Sequence, residues 1–367
     1  DLSGLKELCE VLPTLERAIS LDLANCGLGV AEVNELAQAI SAGATLTSIN
    51  CLANKFEEDD LATLLTAIEG TSVRSLCGLT EGQTVADFSG QNLGPIDMKI
   101  MAAEYGFQGF IAAVVASLCC ANNPGMVGKL DQYARLKTPD AHAEVFKHLT
   151  DNLKTSQVTE ADFSACGLGP VALGHLSEWV RDATAPLTSM NCLNNSLAEG
   201  VHTIIKVFEE TPRLRTLCGL EEGVEQIDWS KSGKGPADVA LLSTELKAGR
   251  AAAAVARLSL SGNFITGSKE KDYAGSGRWE YDNDLSGLIS LCDALLTLKN
   301  PIELDLSQCG LSVNGVNAVA KAISAGAAVE ALAIGANPIG TKGGNILIEA
   351  IRSSNLTTID IGKPLPL

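Results

Sequence analysis

The chain has 367 residues, 46% of them hydrophobic but only 4% aromatic, and a formal net charge of −17. That length exceeds one compact core, so it predicts two or more domains or an extended repeat array. The acidic balance excludes the basic footprint that nucleic acid requires and the polybasic patch that docks on anionic lipid. The longest apolar run, FIAAVVASLCCA from Phe110, is too short to cross a bilayer as a helix.

The first stretch, DLSGLKELCEVLPTL from Asp1, reads as the tail of a repeat, residues 1–20. LDLANCGLG from Leu21 alternates as a strand does, and VNELAQAIS from Val33 follows with helical spacing. LTSINCLAN from Leu46 and LATLLTAIEG from Leu61 repeat that pair. RSLCGLTEG from Arg74 then reads as an aborted strand and a Gly-containing turn, ahead of the strand in VADFSGQNLGP from Val85. VASLCCANN from Val115 is a further strand, and GKLDQYARLKTPDAHAEVFKHL from Gly128 is helix-rich.

The same phrases then return. ADFSACGLG from Ala161, LTSMNCLNN from Leu187 and VHTIIKVFEE from Val201 precede RTLCGLEEG, which begins at Arg215, 141 positions after Arg74. QIDWSKSGKGP from Gln226 and VARLSLSGN from Val255 complete the second copy. TGSKEKDYAGSGRWEYDND from Thr266 is polar, Gly-containing and aromatic, an exposed loop with no such sequence in the first copy. DLSGLISLCDALLTL from Asp284, LDLSQCGLS from Leu304 and VNAVAKAIS from Val316 open a third. The organisation is therefore one array over residues 1–367, with module one at 21–160, module two at 161–303 and a partial module three at 304–367. Strands centre on Leu23, Cys51, Phe88, Cys120, Phe163, Cys192, Trp229, Leu260, Leu306, Ile334 and Ile361. The chain begins inside a module at Asp1, which predicts a longer parent or a neighbour over one end.

Each small unit reads L-x-x-L-x-L-x-x-N/C-x-L, with a short strand, a turn whose Asn or Cys side chain satisfies backbone groups, and a helix. Units of about 28 residues with full helices resemble leucine-rich repeats of the ribonuclease-inhibitor-like class. The chain is also similar to modular repeat proteins of unicellular algae and other protists. The resemblance implies an α/β solenoid: a curved horseshoe, parallel strands on the concave face and helices on the convex face. It implies protein binding as the general role.

Chemistry is sparse. SGKGP from Ser232 lacks the first Gly of a phosphate loop, where Asp228 stands, and reads as a strand-to-helix turn with Pro95 and Pro236 in first helical turns. His142, His148, His175 and His202 have no metal-ligand spacing, and Cys77 and Cys218 lack a paired His. The expectation is no enzyme, no cofactor and no metal. The eleven cysteines show no C-x-x-C pair, so they read as reduced structural thiols, with Cys26, Cys166 and Cys309 buried. That favours the cytoplasm or another reducing compartment, with an organelle left open because the native N-terminus is not visible.

The position facing the hollow reads Asp22, Asn50, Asp87, Cys119, Asp162, Asn191, Asp228, Ser259, Asp305, Ala333 and Asp360. Its Asp and Asn members form a candidate partner-binding floor, acidic and flanked by Ser, against the plainer reading of Asp as soluble filler. A second candidate is the loop, through Lys269, Lys271, Tyr273, Arg278, Trp279 and Tyr281. The function expected is a protein-binding scaffold. The alternatives are a structural subunit of a large cytoskeletal or organellar assembly, docking by edges and loops, and a regulator or inhibitor of a basic client. No nucleic-acid contact and no membrane insertion are expected.

Overall fold

A short strand leaves backbone groups at both its ends without ladder partners, and each must find one. This sequence supplies side chains for them at fixed positions, and the architecture follows. The computed structural model describes residues 3–106, 111–271 and 277–362. It is a mixed α/β structure with parallel sheets and eleven α-helices among those residues. The chain divides into two units, Asp1–Thr188 and Ser189–Leu367. No helix among the described residues is long and apolar enough to cross a membrane.

The first unit runs α1 (Ser3–Val11), β1 (Ile19–Asp22), α2 (Val30–Ser41), β2 (Leu46–Asn50), α3 (Glu58–Ile68), β3 (Val85–Asp87), α4 (Pro95–Gly106), β4 (Ser117–Cys119), β5 (Lys129–Leu130), β6 (Leu136–Thr138), α5 (Ala143–Leu153), β7 (Glu160–Asp162) and α6 (Pro170–Asp182). Strand β1 pairs with β2, and β3, β4 and β7 pair in turn, all parallel; β5 and β6 form an antiparallel hairpin. Its core includes an edge-to-face run in which Phe163 lies 5.3 Å from Phe146 and 6.3 Å from Trp179, all three buried.

The second unit runs β8 (Ser189–Asn191), α7 (Val201–Glu210), β9 (Gln226–Asp228), α8 (Pro236–Ala248), β10 (Arg257–Ser259), β11 (Lys269–Glu270), β12 (Trp279–Glu280), α9 (Ser286–Leu295), β13 (Ile302–Asp305), α10 (Val313–Ser324), β14 (Val329–Ala333), α11 (Gly340–Arg352) and β15 (Thr358–Asp360). Strands β9, β10, β13, β14 and β15 form one parallel sheet in that order, and β11 and β12 a hairpin. Pro95, Pro170 and Pro236 each open a helix, where the missing N–H costs nothing.

Every predicted strand is present, but each ladder stops just before the predicted centre. The chain turns there, and three residues past the strand end it passes through the left-handed region, at Asn25, Ala53, Ala165, Asn194, Lys231, Gln308 and Ala336. The next residue is the Asn or Cys of the repeat, except after Lys231, where Ser232 donates its hydroxyl to the Trp229 carbonyl at 2.5 Å. Asn54 donates to the carbonyls of Leu23 and Cys51, both at 2.9 Å, and accepts from the N–H groups of Cys26 and Leu28. Asn263 and Asn337 bond in the same way, each joining two successive strand-to-helix turns. Where the repeat has Cys, the thiol donates one strand back, Cys166 to Cys120 at 3.0 Å and Cys309 to Leu260 at 3.2 Å. Strong amide staples thus fall on every second turn, and the turns between carry weaker bonds, from a thiol at Cys166 and Cys309, from Gln91 and from Ser232.

Cys166 and Cys309 are buried as predicted, but Cys26 is exposed. It follows β1, the edge of its sheet, and no earlier strand among the described residues covers it.

Replacing Asn263 with Ala strips two N–H and two carbonyl groups of their partner, at about 1–3 kcal/mol for each buried group. The expected loss exceeds about 3 kcal/mol, whereas Cys309→Ala should cost about 1 kcal/mol. Urea unfolding midpoints measure both, and equal losses would contradict this difference between the amide and thiol bonds.

Candidate functional site

The residues of the predicted floor lie at the strand ends. Asp22 lies beside Asn50, and Asp87, Cys119 and Asp162 lie in register on β3, β4 and β7. In the second unit Asp228, Ser259, Asp305, Ala333 and Asp360 form the corresponding row. All are exposed or half-buried. Arg257 stands two residues before Ser259, bonded to Glu303 at 2.7 Å, so the neighbouring row does contain an arginine.

Each Asp and Asn of the floor also has a local task. The side-chain Oδ1 accepts the N–H two residues on, in an Asx turn that ends the ladder. The donors are Ala24 to Asp22, Leu52 to Asn50, Ser89 to Asp87, Ser164 to Asp162, Leu193 to Asn191, Ser230 to Asp228, Ser307 to Asp305 and Gly362 to Asp360. Bonds from Ser89 hold the Asp87 carboxyl below its ordinary range, and bonds from the Ser230 hydroxyl and N–H do so at Asp228. The row is not filler.

The loop candidate is a built hairpin. Lys269 pairs with Glu280 and Glu270 with Trp279, the Lys271 N–H donates to Arg278 at 2.6 Å, and Lys271 pairs with Glu280 at 3.6 Å. Trp279 stacks on Tyr281 at 6.2 Å, and the Phe264 ring lies tilted against it at 5.1 Å. Tyr273 lies outside the described residues. Against the sequence reading, the first module has the counterpart: the stretch from Gly128 begins with the hairpin β5–β6, and its helix starts only at Ala143. Both hairpins lead to an Asp that caps a later helix. Asp140 accepts the N–H groups of Gly169, Val171 and Ala172, and Asp282 those of Ser312 and Gly315. Sequence comparison missed this because only the backbone path and the terminal Asp are kept.

The duplicated phrase is an extra rung without a helix. Ser75 and Leu76 carbonyls accept from Ile49 and Cys51, and Thr216 and Leu217 carbonyls from Met190 and Cys192. Gly78 and Gly219 have φ of +75° and +67°, and a Cβ there would fall 2.8 Å and 3.1 Å from the Cβ of Asn50 and Asn191. Only glycine fits. Beyond the rung no strand follows directly: β2 and β3 belong to different sheets, as do β8 and β9.

A buried carboxylate takes the missing strand's place. Glu104 of α4 accepts the N–H groups of Leu76 and Cys77 at 2.7 Å and 3.3 Å, and Glu245 of α8 accepts those of Leu217 and Cys218 together with the Thr216 hydroxyl. Two helical turns earlier, Asp97 accepts from Ala53 and Gly94, and Asp238 from Asn194 and Gly235. These four groups were not singled out from the sequence. Their signal is P-x-D-x6-E in both modules, two acids two turns apart on one face of a largely apolar helix.

Burial pushes Glu104 up to about 7, against the bonds from Leu76 and the groups beside it that lower it. Burial also drives the Cys77 and Cys218 thiols well above their ordinary range, the reverse of an activated nucleophile. Lys234, the lysine of SGKGP, is buried and donates to Asn194 Oδ1 at 2.8 Å, with its ammonium 5.2 Å from the Trp229 ring centroid.

Because the folded chain holds the Glu104 proton more tightly than an unfolded chain, with its ordinary value of 4.5, this group's stabilisation is full at low pH and is lost as pH rises toward 7. Glu104→Gln removes that dependence. Denaturation midpoints across this window should fall with pH in the parent and fall less in the variant; parallel curves would contradict the assignment.

No family model matches the chain, and no curated protein sequence matches it. Among solved structures it is similar to a chain of the crystal structure of a TLR13–ssRNA13 complex, with a TM-score of 0.20 and 12% identity over 90% of this chain and 43% of that one. The chain thus spans less than half of that structure's length.

Proposed function

We propose that the strand–helix units are leucine-rich repeats of the ribonuclease-inhibitor-like class stacked as a solenoid, and that the chain is a non-enzymatic protein-binding scaffold. The observation that supports the reading is an excess of charge at the strand ends. An Asx turn needs only a side-chain oxygen, and Asn50 and Asn191 supply one without charge. Asp22, Asp87, Asp162, Asp228, Asp305 and Asp360 hold the same turns with a carboxylate. Their charges sum into a negative field beside small hydroxyls, which suits a basic protein client.

A second reading, a structural subunit that docks by loops, is favoured by the exposed aromatic stack on β11–β12. Inhibition or regulation of a basic client would use the acidic row itself. Free thiols at every cysteine suit a reducing compartment.

The partner is to be identified by crosslinking mass spectrometry from native extract. Its association with the variant Asp87→Asn, Asp162→Asn, Asp228→Asn then tests the row. Asn keeps each turn, so stability should stay within about 0.5 kcal/mol. The association rate should fall, and its decline with salt should flatten. An unchanged rate at low salt would sink the acidic-row reading.

A further inference from the structure

The helix-free rung also leaves its mark on the helices of the first unit. No helix follows the rung, so α3 packs on α2, α4 packs on α5, and α3 and α4 barely touch. A trough of about 660 Å³ opens between α3 and α5 across α4. Leu61 and Ala102 form its depth, and Leu65, Ala103 and Val145 are half-buried along it. A second hollow of about 510 Å³ continues it past Lys99 and Val145 to Pro95, at the start of α4. The two together follow α4, whose 12 residues span about 18 Å.

The second unit closes the corresponding space with two devices that the first lacks. Arg250 donates to the carbonyls of Phe208, Thr211 and Leu214 at the end of α7, and its guanidinium lies 4.1 Å from the Phe208 ring centroid. No arginine occurs between Glu104 and Leu118 in the first. Gly287 lets α9 approach the start of α8, since a Cβ there would fall 2.1 Å from the Pro236 carbonyl oxygen. Val145 holds that place on α5, just before the buried Phe146 as Gly287 is just before the buried Leu288, and it lines the trough. Thr244 of α8 is buried, whereas its counterpart Ala103 on α4 is half-buried.

The charge on this lining is one-sided. Glu57, Glu58, Asp59 and Glu144 line the two hollows, and the single lysine among the lining residues, Lys99, is already paired with Glu58. Glu57, Asp59 and Glu144 are exposed and form no ion pair among the described residues. Burial, with Lys129 adding to it, holds the His142 imidazole below its ordinary range, so it brings no charge at neutral pH. Acids suit the first turns of helices, but that preference needs no apolar trough beside them.

We propose that the trough holds an amphipathic helix of a partner protein, its apolar stripe on Leu61, Leu65, Ala103 and Val145 and its lysines or arginines beside Glu57, Asp59 and Glu144. Shape and charge select this occupant. A trough as long as a helix, floored by small side chains, admits an apolar helix face at close range. The three carboxylates without ion-pair partners favour a basic helix and reject an acidic one. The site shares no residue with the strand-end row, so neither reading depends on the other.

Fluorescence anisotropy of the full chain with a labelled synthetic peptide, in about 0.15 M salt, tests this. The probe is an Ala, Leu and Lys helix of about fourteen residues, with Leu on one stripe and Lys toward one end. A control of the same composition has its Leu positions scattered. The striped probe should bind at least about tenfold more tightly than the control. Ala103→Trp, which fills the trough, and separately Glu57→Gln with Asp59→Asn and Glu144→Gln, should each weaken it at least about tenfold. Asp87→Asn with Asp162→Asn and Asp228→Asn should leave it unchanged. If Ala103→Trp disturbs folding by circular dichroism, Leu65→Glu replaces it and should weaken the probe alike. Equal binding of both peptides, or no binding up to about 0.1 mM, overturns the proposal. So does binding that survives the trough variants or is lost with the row variant. Sedimentation velocity and native mass spectrometry of the chain alone cover the other occupants. A dimer or a retained small molecule that Ala103→Trp removes would place a second copy or a small ligand in the trough and overturn the partner helix.

Discussion

Pairing of backbone groups at the ends of short strands is the constraint on which this structure depends. A strand this short buries little on its own, and a buried N–H or carbonyl without a partner costs more than a hydrogen bond is worth. The chain meets that demand with side chains. Asparagine joins consecutive turns, aspartate closes the turn after the strand, and glutamate stands in for a strand at the helix-free rung. The three devices use one chemical property, an oxygen acceptor placed at the right height above the backbone.

Much of this was legible in the sequence. Strands and helices follow from alternating Leu and from helical spacing, because burial on one face fixes both periods. The rung announced itself through its duplicated Cys-Gly-Leu, where the backbone favours glycine. What was not legible is what depends on distant partners. Glu104 and Glu245 read as ordinary helix residues until the rung that they hold is known. The two hairpins share a backbone course and a final Asp, but β5–β6 has Leu136 and Lys137 where β11–β12 has Trp279, so no string comparison pairs them. Cys26 was misread for the same reason: its cover would come from an earlier strand, and β1 is an edge.

The strand-end row was found from the sequence, but its meaning shifted. Aspartate there has a full structural reason to be present, so its position alone does not argue for a partner. The proposal of a partner rests on its charge. Asn50 and Asn191 close the same turn while neutral, and Ser259 and Ala333 occupy row positions without a carboxylate. Repulsion between acidic residues two strands apart, about 10 Å, is mild at physiological salt, which makes the accumulated field tolerable to the fold.

Hydrogen exchange under native conditions at the Leu76, Cys77, Leu217 and Cys218 amides tests the central claim most directly. If the glutamates replace a strand, these amides exchange as slowly as those of Ile49 and Cys51, which bond within the rung ladder. Exchange at the rate of an open loop would contradict the account.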